Sequence, residues 1–84
     1  SLGNEELYVS RLKKLKSSEK LAKDLFLWRE NKAIENNIPP SFVFKDKFFT
    51  KLLKSFQNGI SKEKILKILN NENLTNDLID TIKK

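Results

Sequence analysis

Apolar residues recur at intervals of three and four positions through the first 36 residues, the spacing of one helix face. Asn4 is predicted to cap the first segment, because its side chain can accept a hydrogen bond from a free backbone N–H. Ser17-Ser18 is predicted to be a break or a second cap, so residues 5–36 form either one bent helix or two. The apolar positions are Leu7, Tyr8, Leu12 and Leu15, then Leu21, Ala22, Leu25, Phe26, Trp28, Ala33 and Ile34.

Two prolines interrupt the helical pattern after this region. Asn36-Asn37 is predicted to end the helix, and Pro39-Pro40 prevents its continuation, since a proline ring clashes with the preceding turn. The bulky apolar residues of the segment 38–44 cannot all face water. We therefore expect an ordered connector that places Phe42 or Phe44 in the core.

Three further helices are predicted after the connector. Asp46 and Ser61 are expected to cap the first two, and the third is expected to be capped near Thr75 or Asn76. Asn58-Gly59 is predicted to end the first of them, and the polar run 70–73 is predicted to be a turn. Their apolar faces are Phe48, Phe49, Leu52, Leu53 and Phe56, then Ile65, Leu66, Ile68 and Leu69, then Leu74, Leu78, Ile79 and Ile82. The pattern predicts an all-α protein, a compact bundle of four to five short helices.

The composition restricts the chemistry open to this 84-residue chain. It contains no Cys and no His, which excludes a thiolate nucleophile, an imidazole base and the usual zinc ligands. Its two glycines cannot form a glycine-rich phosphate loop. The acidic pairs Glu30/Glu35 and Asp77/Asp80 are expected to be salt-bridge partners. We therefore expect a non-catalytic domain that needs no cofactor and no metal.

The charge points to a partner that carries phosphate. Seventeen Lys and Arg against 11 Asp and Glu give a net charge of +6, which favours nucleic acid or an anionic surface. Lys, Asn and Ile are all abundant, however, and AT-rich coding produces that bias whatever the function. The excess charge therefore has a second interpretation, a merely solubilising surface. No signal peptide or membrane-spanning run is recognised, and a cytoplasmic protein without membrane contact is expected.

An ordered set of residues on either side of the two prolines resembles the HRDC domain. This module is shared by RecQ-type helicases, some UvrD-like helicases and ribonuclease D. The resemblance covers about residues 18–82 and rests on Leu25, Trp28-Arg29, Ala33, Asn37-Ile38-Pro39-Pro40, Val43-Phe44 and Asp46.

The resemblance implies a five-helix bundle that acts as an auxiliary module in DNA repair and related processes. Residues 1–17 would be an N-terminal extension, expected to be helical, and residues 18–84 the HRDC-like domain. The expected role is weak, electrostatic binding of single-stranded or partly duplex DNA for a larger ATP-dependent DNA helicase. The alternatives are the HRDC domain of ribonuclease D, binding RNA, or a protein-interaction domain that contacts the motor or nuclease domain of its own parent chain. The isolated domain is expected to be a monomer.

Two departures from the family pattern bear on binding. Members that bind single strands well often carry a stacking Tyr directly after Pro-Pro, where this chain has Ser41. Phe42 follows at a position that is normally buried in the family. The turn at 70–73 lacks the family's Gly and basic residues, which weakens the case for a backbone phosphate contact there.

Ten residues are candidate nucleic-acid ligands. Those in the first helical region share one face if the helix is continuous, and Lys47, Lys51 and Lys54 recur at helical spacing after the connector. Arg29 is expected either to reach nucleic acid or to brace the connector by bonding carbonyls around Pro39, and each lysine has the alternative of a solvated face. The set is Lys13, Lys16, Lys20, Lys23, Arg29, Ser41, Lys45, Lys47, Lys51 and Lys54.

Overall fold

Five α-helices and one short 3₁₀ turn follow one another in a computed structural model that describes the backbone of residues 2–84 and the side chains of residues 5–84. The elements are α1 (Leu2–Asn36), α2 (Pro40–Val43), the 3₁₀ turn (Asp46–Phe48), α3 (Phe49–Gln57), α4 (Lys62–Leu69) and α5 (Glu72–Lys83). Residues 2–84 contain no β-strand. The all-α prediction, with five helices, is confirmed.

Helix α1 is continuous, so Ser17-Ser18 neither breaks it nor caps a second helix. Its 35 residues span about 52 Å at 1.5 Å per residue, close to the 54 Å long axis of the molecule. Residues 5–17 are exposed throughout, and burial begins at Ser18. This exposure accords with a boundary between segments 1–17 and 18–84, which stays a prediction. The helix starts at Leu2, ahead of the expected cap Asn4, whose side chain lies outside the described residues.

The core lies where the second half of α1 meets α3, α4 and α5. Its centre is formed by Leu25, Leu52, Ile65 and Leu78, all fully buried. Trp28, Ala33, Val43, Phe44, Leu69 and Ile79 complete it. Helices α3, α4 and α5 thus contribute residues from the apolar sides that their periodicity predicts.

The connector is ordered, as expected, and it presents only one of its two central aromatic residues to the core. The side chain of Phe44 is buried, whereas Phe42 is 74% exposed. Both lie at the end of the short helix α2, which starts at Pro40, where the fixed φ of proline suits a first helical position.

The end of α1 explains why the chain turns where it does. Asn37 adopts a left-handed φ of 52°, and its N–H bonds the carbonyl of Ile34 at 3.2 Å. The N–H of Ile38 bonds the carbonyl of Ala33 at 3.0 Å, which completes a Schellman motif. The predicted helix end at Asn36-Asn37 is confirmed, as is that of α3, where Gly59 has a φ of 93°.

The predicted helix N-caps at Asp46, at Ser61 and near Thr75 or Asn76 make no capping hydrogen bond in the structure. Asp46 lies inside the 3₁₀ turn and caps nothing, because its carboxylate accepts from Arg29 instead. Ser61 occupies the N-cap position of α4 but makes no side-chain cap bond. The prediction of a cap near Thr75 or Asn76 is wrong. Helix α5 starts earlier, and Asn71 caps it by accepting from the N–H of Leu74 at 2.9 Å. The run 70–73 is therefore a turn only at its first two residues.

Two predicted core residues of α1 face solvent. Phe26 is 46% exposed and Ile34 is 77% exposed, because the other helices cover only one side of α1. The apolar residues of the first segment are exposed as well: Leu7, Tyr8, Leu12 and Leu15. None of the helices in the described chain combines the length and the apolarity needed to cross a bilayer.

Candidate nucleic-acid interface

Arg29 belongs to α1, and its largely buried side chain contacts the connector. Its Nη1 donates to the carbonyl of Phe44 at 3.2 Å and to Oδ1 of Asp46 at 2.7 Å. The guanidinium carbon lies 4.8 Å from the centroid of the Phe44 ring, within cation–π range. Of the two expected roles for Arg29, this geometry supports the bracing of the connector, but the partners are the carbonyl of Phe44 and the carboxylate of Asp46 and not the carbonyls around Pro39. Arg29 is only 8% exposed and is therefore not part of the exposed surface.

A second polar cluster joins α1 to α5. The Nε1 of Trp28 donates to Oδ2 of Asp77 at 2.8 Å, and Lys32 Nζ lies 2.9 Å from the same oxygen. Lys32 also pairs with Glu35 at 3.0 Å. The bond from Lys32, followed by that from Trp28, holds the pKa of Asp77 below its ordinary value, and the bond to Asp77 raises the pKa of Lys32. Asp77 and Glu35 are thus salt-bridge partners, as expected.

The four α1 lysines lie on one side of a continuous helix. Lys13, Lys16, Lys20 and Lys23 follow at spacings of three, four and three residues, and all four are exposed. Lys20 pairs with Asp24 at 2.7 Å, while the other three form no ion pair within residues 5–84. We call these four residues the α1 lysine face. The structure supplies the continuous helix on which the predicted face depends.

The connector places a second group of candidates around Phe42. Ser41 is exposed in α2, Lys45 is exposed just before the 3₁₀ turn, and Lys47 is exposed within it. The Nζ of Lys47 lies 5.1 Å from the centroid of the Phe48 ring. Phe42 is exposed, although the resemblance implies burial at this position. It therefore presents an aromatic ring at the surface one residue after Ser41, the position that directly follows Pro-Pro.

The last two candidates, Lys51 and Lys54, belong to a groove between α3 and α4. Its lining brings them together with two lysines of α4, Lys64 and Lys67, and includes no residue of α1. The periodicity of α4 marks Lys64 and Lys67 as polar-face residues. It gives no signal that this face borders α3, and both residues were missed for that reason. Because Arg29 is buried, the ten candidates do not all belong to one exposed surface.

No group of acidic residues in the described part of the chain is arranged to hold a metal ion. Among the close carboxylates, Asp77 and Glu35 pair with Lys32, Asp80 is exposed, and Glu30 is half-buried; neither Glu30 nor Asp80 forms an ion pair within residues 5–84.

A comparison with known protein families matches part of the chain. The family model described as the HRDC domain matches residues 18–57, from the first partly buried residue of α1 to the last residue of α3. Residues 18–57 therefore match the HRDC domain, which is a non-catalytic auxiliary module of helicases and ribonuclease D. No curated protein and no solved structure matches the chain significantly.

Proposed function

We propose that this HRDC domain binds nucleic acid weakly and electrostatically, as an auxiliary module of a larger DNA helicase. The preferred partner is single-stranded or partly duplex DNA. A ribonuclease D parent, with RNA as the partner, is the alternative that the same family allows.

The observation that carries the proposal is the α1 lysine face. Its residues 13–23 extend over about 15 Å of helix, and a strand of B-form DNA presents a phosphate about every 3.4 Å along its axis. The face can thus lie along several consecutive phosphates. Only Lys20 has a carboxylate partner in residues 5–84, so the charge of the face is largely uncompensated.

The connector offers a second contact for a single strand. Phe42 is exposed beside Ser41, and a base stacked on an aromatic ring gains about 1–3 kcal/mol. Lys45 and Lys47 lie nearby in the chain and are exposed. Phe42 thus takes the role that the missing Tyr would have at Ser41.

The mechanism is tethering. A weak site joined to a motor or nuclease domain raises the local concentration of substrate, and this converts a low affinity into useful retention on the strand. Three to four phosphate contacts by the α1 lysine face predict a log–log salt slope of about −2 to −3 for single strands. Binding should then weaken about 20- to 60-fold when salt rises from about 50 to about 200 mM.

Two double variants test the assignment by fluorescence anisotropy with a labelled oligo-dT and its RNA counterpart. Lys13→Gln with Lys16→Gln should weaken binding and reduce the salt slope by about 1.4, since two phosphate contacts are lost. Lys64→Gln with Lys67→Gln removes the same charge from α4 and should leave the slope unchanged. Equal losses from the two variants would contradict a specific role for α1. An absence of binding to any oligonucleotide at low salt would contradict the proposal as a whole.

A further inference from the structure

We propose that the groove between α3 and α4 is a docking site for an acidic peptide segment that carries an apolar side chain. This site is separate from the α1 lysine face. The groove is lined by Lys51, Lys54 and Ser55 of α3 and by Lys64, Lys67 and Ile68 of α4.

Charge complementarity specifies the acidic character of the partner. The four lysines stand in two pairs, each with a spacing of three residues, on neighbouring helices, and all are exposed. Within residues 5–84 none of them forms an ion pair, whereas Lys20, Lys32 and Lys62 each have a carboxylate partner. No acidic side chain lines the groove. Four like charges that repel one another at close range are stabilised when carboxylates are placed between them.

The floor of the groove specifies the apolar component. Ile68 is half-buried and packs against the core, so part of its side chain faces the groove. The Ser55 hydroxyl donates to the carbonyl of Lys51 at 2.9 Å and needs no bond from a ligand. Lysine stems add further aliphatic surface to the walls. The volume, about 380 Å³, is at the small end of ligand sites, which suits a short segment with one inserted side chain.

The same lining favours a peptide over a nucleic acid. Single strands gain affinity from aromatic rings on which bases stack, and no aromatic residue lines this groove. Alternate residues of an extended peptide are about 6.6 Å apart. Helical residues at a spacing of three lie about 5–6 Å apart at Cβ. Carboxylates at alternate positions therefore match the spacing of the two lysines on either helix.

The test is an NMR titration of the ¹⁵N-labelled 84-residue chain with a twelve-residue peptide. The peptide is built from Asp, Glu and Ser with one central Leu, and a control peptide replaces Leu by Ser. Shifts should concentrate on the amides around Ser55 and Ile68, and the control should bind several-fold more weakly. Lys64→Gln with Lys67→Gln should lower the affinity about fivefold or more, since two exposed ion pairs are lost. Lys13→Gln with Lys16→Gln should leave the affinity unchanged.

Three outcomes would overturn the proposal. Equal binding of the Leu and Ser peptides would show bulk charge attraction without a groove. Shifts spread over the lysines of all helices would show the same. Oligo-dT that displaces the peptide from the groove amides would assign the groove to nucleic acid. Failure of the groove proposal would not count against the α1 lysine face, because the Lys13→Gln/Lys16→Gln variant tests that face separately through binding of oligo-dT.

Discussion

Arg29 and Asp46 form an ion pair whose two members differ widely in exposure. Their atoms Nη1 and Oδ1 lie 2.7 Å apart, yet the side chain of Arg29 is 9% exposed and that of Asp46 is 88% exposed. Both residues belong to the motif that surrounds the two prolines. The pair joins α1 to the 3₁₀ turn across the connector, and its asymmetry has a consequence for stability.

Removal of Arg29 should cost much more stability than removal of its partner's charge. Arg29→Ala leaves the buried carbonyl of Phe44 without that donor and opens a gap in the packing, and we expect a loss of about 2–3 kcal/mol. Asp46→Asn should lower the free energy of unfolding by less than about 1 kcal/mol, because the carboxylate is exposed and an ion pair in contact with water contributes little. Urea denaturation of the two variants measures both values. Equal losses would contradict the bracing role assigned to Arg29.

Two phenylalanines two residues apart provide a matched pair. Phe44→Ala should destabilise the fold by about 3–5 kcal/mol, because it empties a core site. Phe42→Ala should change stability by less than about 0.5 kcal/mol, because the ring lies at the surface. Thermal unfolding measures both effects, and Phe42→Ala should in addition weaken oligo-dT binding. A large stability loss at Phe42 would show that the ring is buried in solution.

The Trp28–Lys32–Asp77 cluster predicts a pH dependence with a defined sign. The pKa of Asp77 is lowered from 3.8 in the folded state. Its contribution to stability is therefore fully present above that value and is lost as the pH falls through the lower folded pKa. The pKa of Lys32 is raised above 10.5, so its contribution is lost only as the pH rises beyond that value.

Asp77→Asn should therefore lower stability by a constant amount at neutral pH, and the difference from the unmodified chain should shrink below about pH 4. Urea midpoints measured from acid to neutral pH provide the data. Asp80→Asn is the control, since Asp80 is exposed and forms no ion pair within residues 5–84. A difference at Asp77 that persists unchanged at the most acid pH would rule out this linkage.

The observed cap of α5 gives a further test. Asn71→Ala removes the oxygen that accepts from the Leu74 N–H and should cost about 1 kcal/mol. Asn76→Ala, at a position that the sequence pattern favoured, should cost little, because Asn76 lies inside the helix and is exposed. Denaturation midpoints compare the two. A larger loss at Asn76 would place the helix start where the sequence pattern put it.

Much of the fold follows from local rules that the sequence displays. The apolar spacing of α3, α4 and α5 predicts their buried faces, and Pro39-Pro40 with Asn37 predicts where α1 ends. The continuity of α1 does not follow, because serine is permitted both as a cap and inside a helix. Phe26 and Ile34 were assigned to the core for a related reason: periodicity marks an apolar side without showing how much of it the partner helices cover.

The sites depend still more on tertiary placement. The α1 lysine face requires only that the helix be continuous, so its arrangement could be predicted from the spacing of the four lysines. The Arg29–Asp46 bond could not be predicted in this way. An Asp before a helix is also a good cap, so the local pattern does not show whether its carboxylate accepts from a backbone N–H or from Arg29. The groove could not be predicted from the sequence either. Lys64 and Lys67 become neighbours of Lys51 and Lys54 only when α3 packs against α4.

The most direct test of the nucleic-acid role is an NMR titration of the ¹⁵N-labelled chain with single-stranded DNA, 3′-overhang duplex and RNA at about 50 and about 200 mM salt. The account predicts shifts concentrated on residues 13–23 and around Phe42, largest with single-stranded or overhang DNA, which fade at the higher salt. An absence of shifts with every substrate at low salt, or shifts that leave α1 unperturbed, would contradict it.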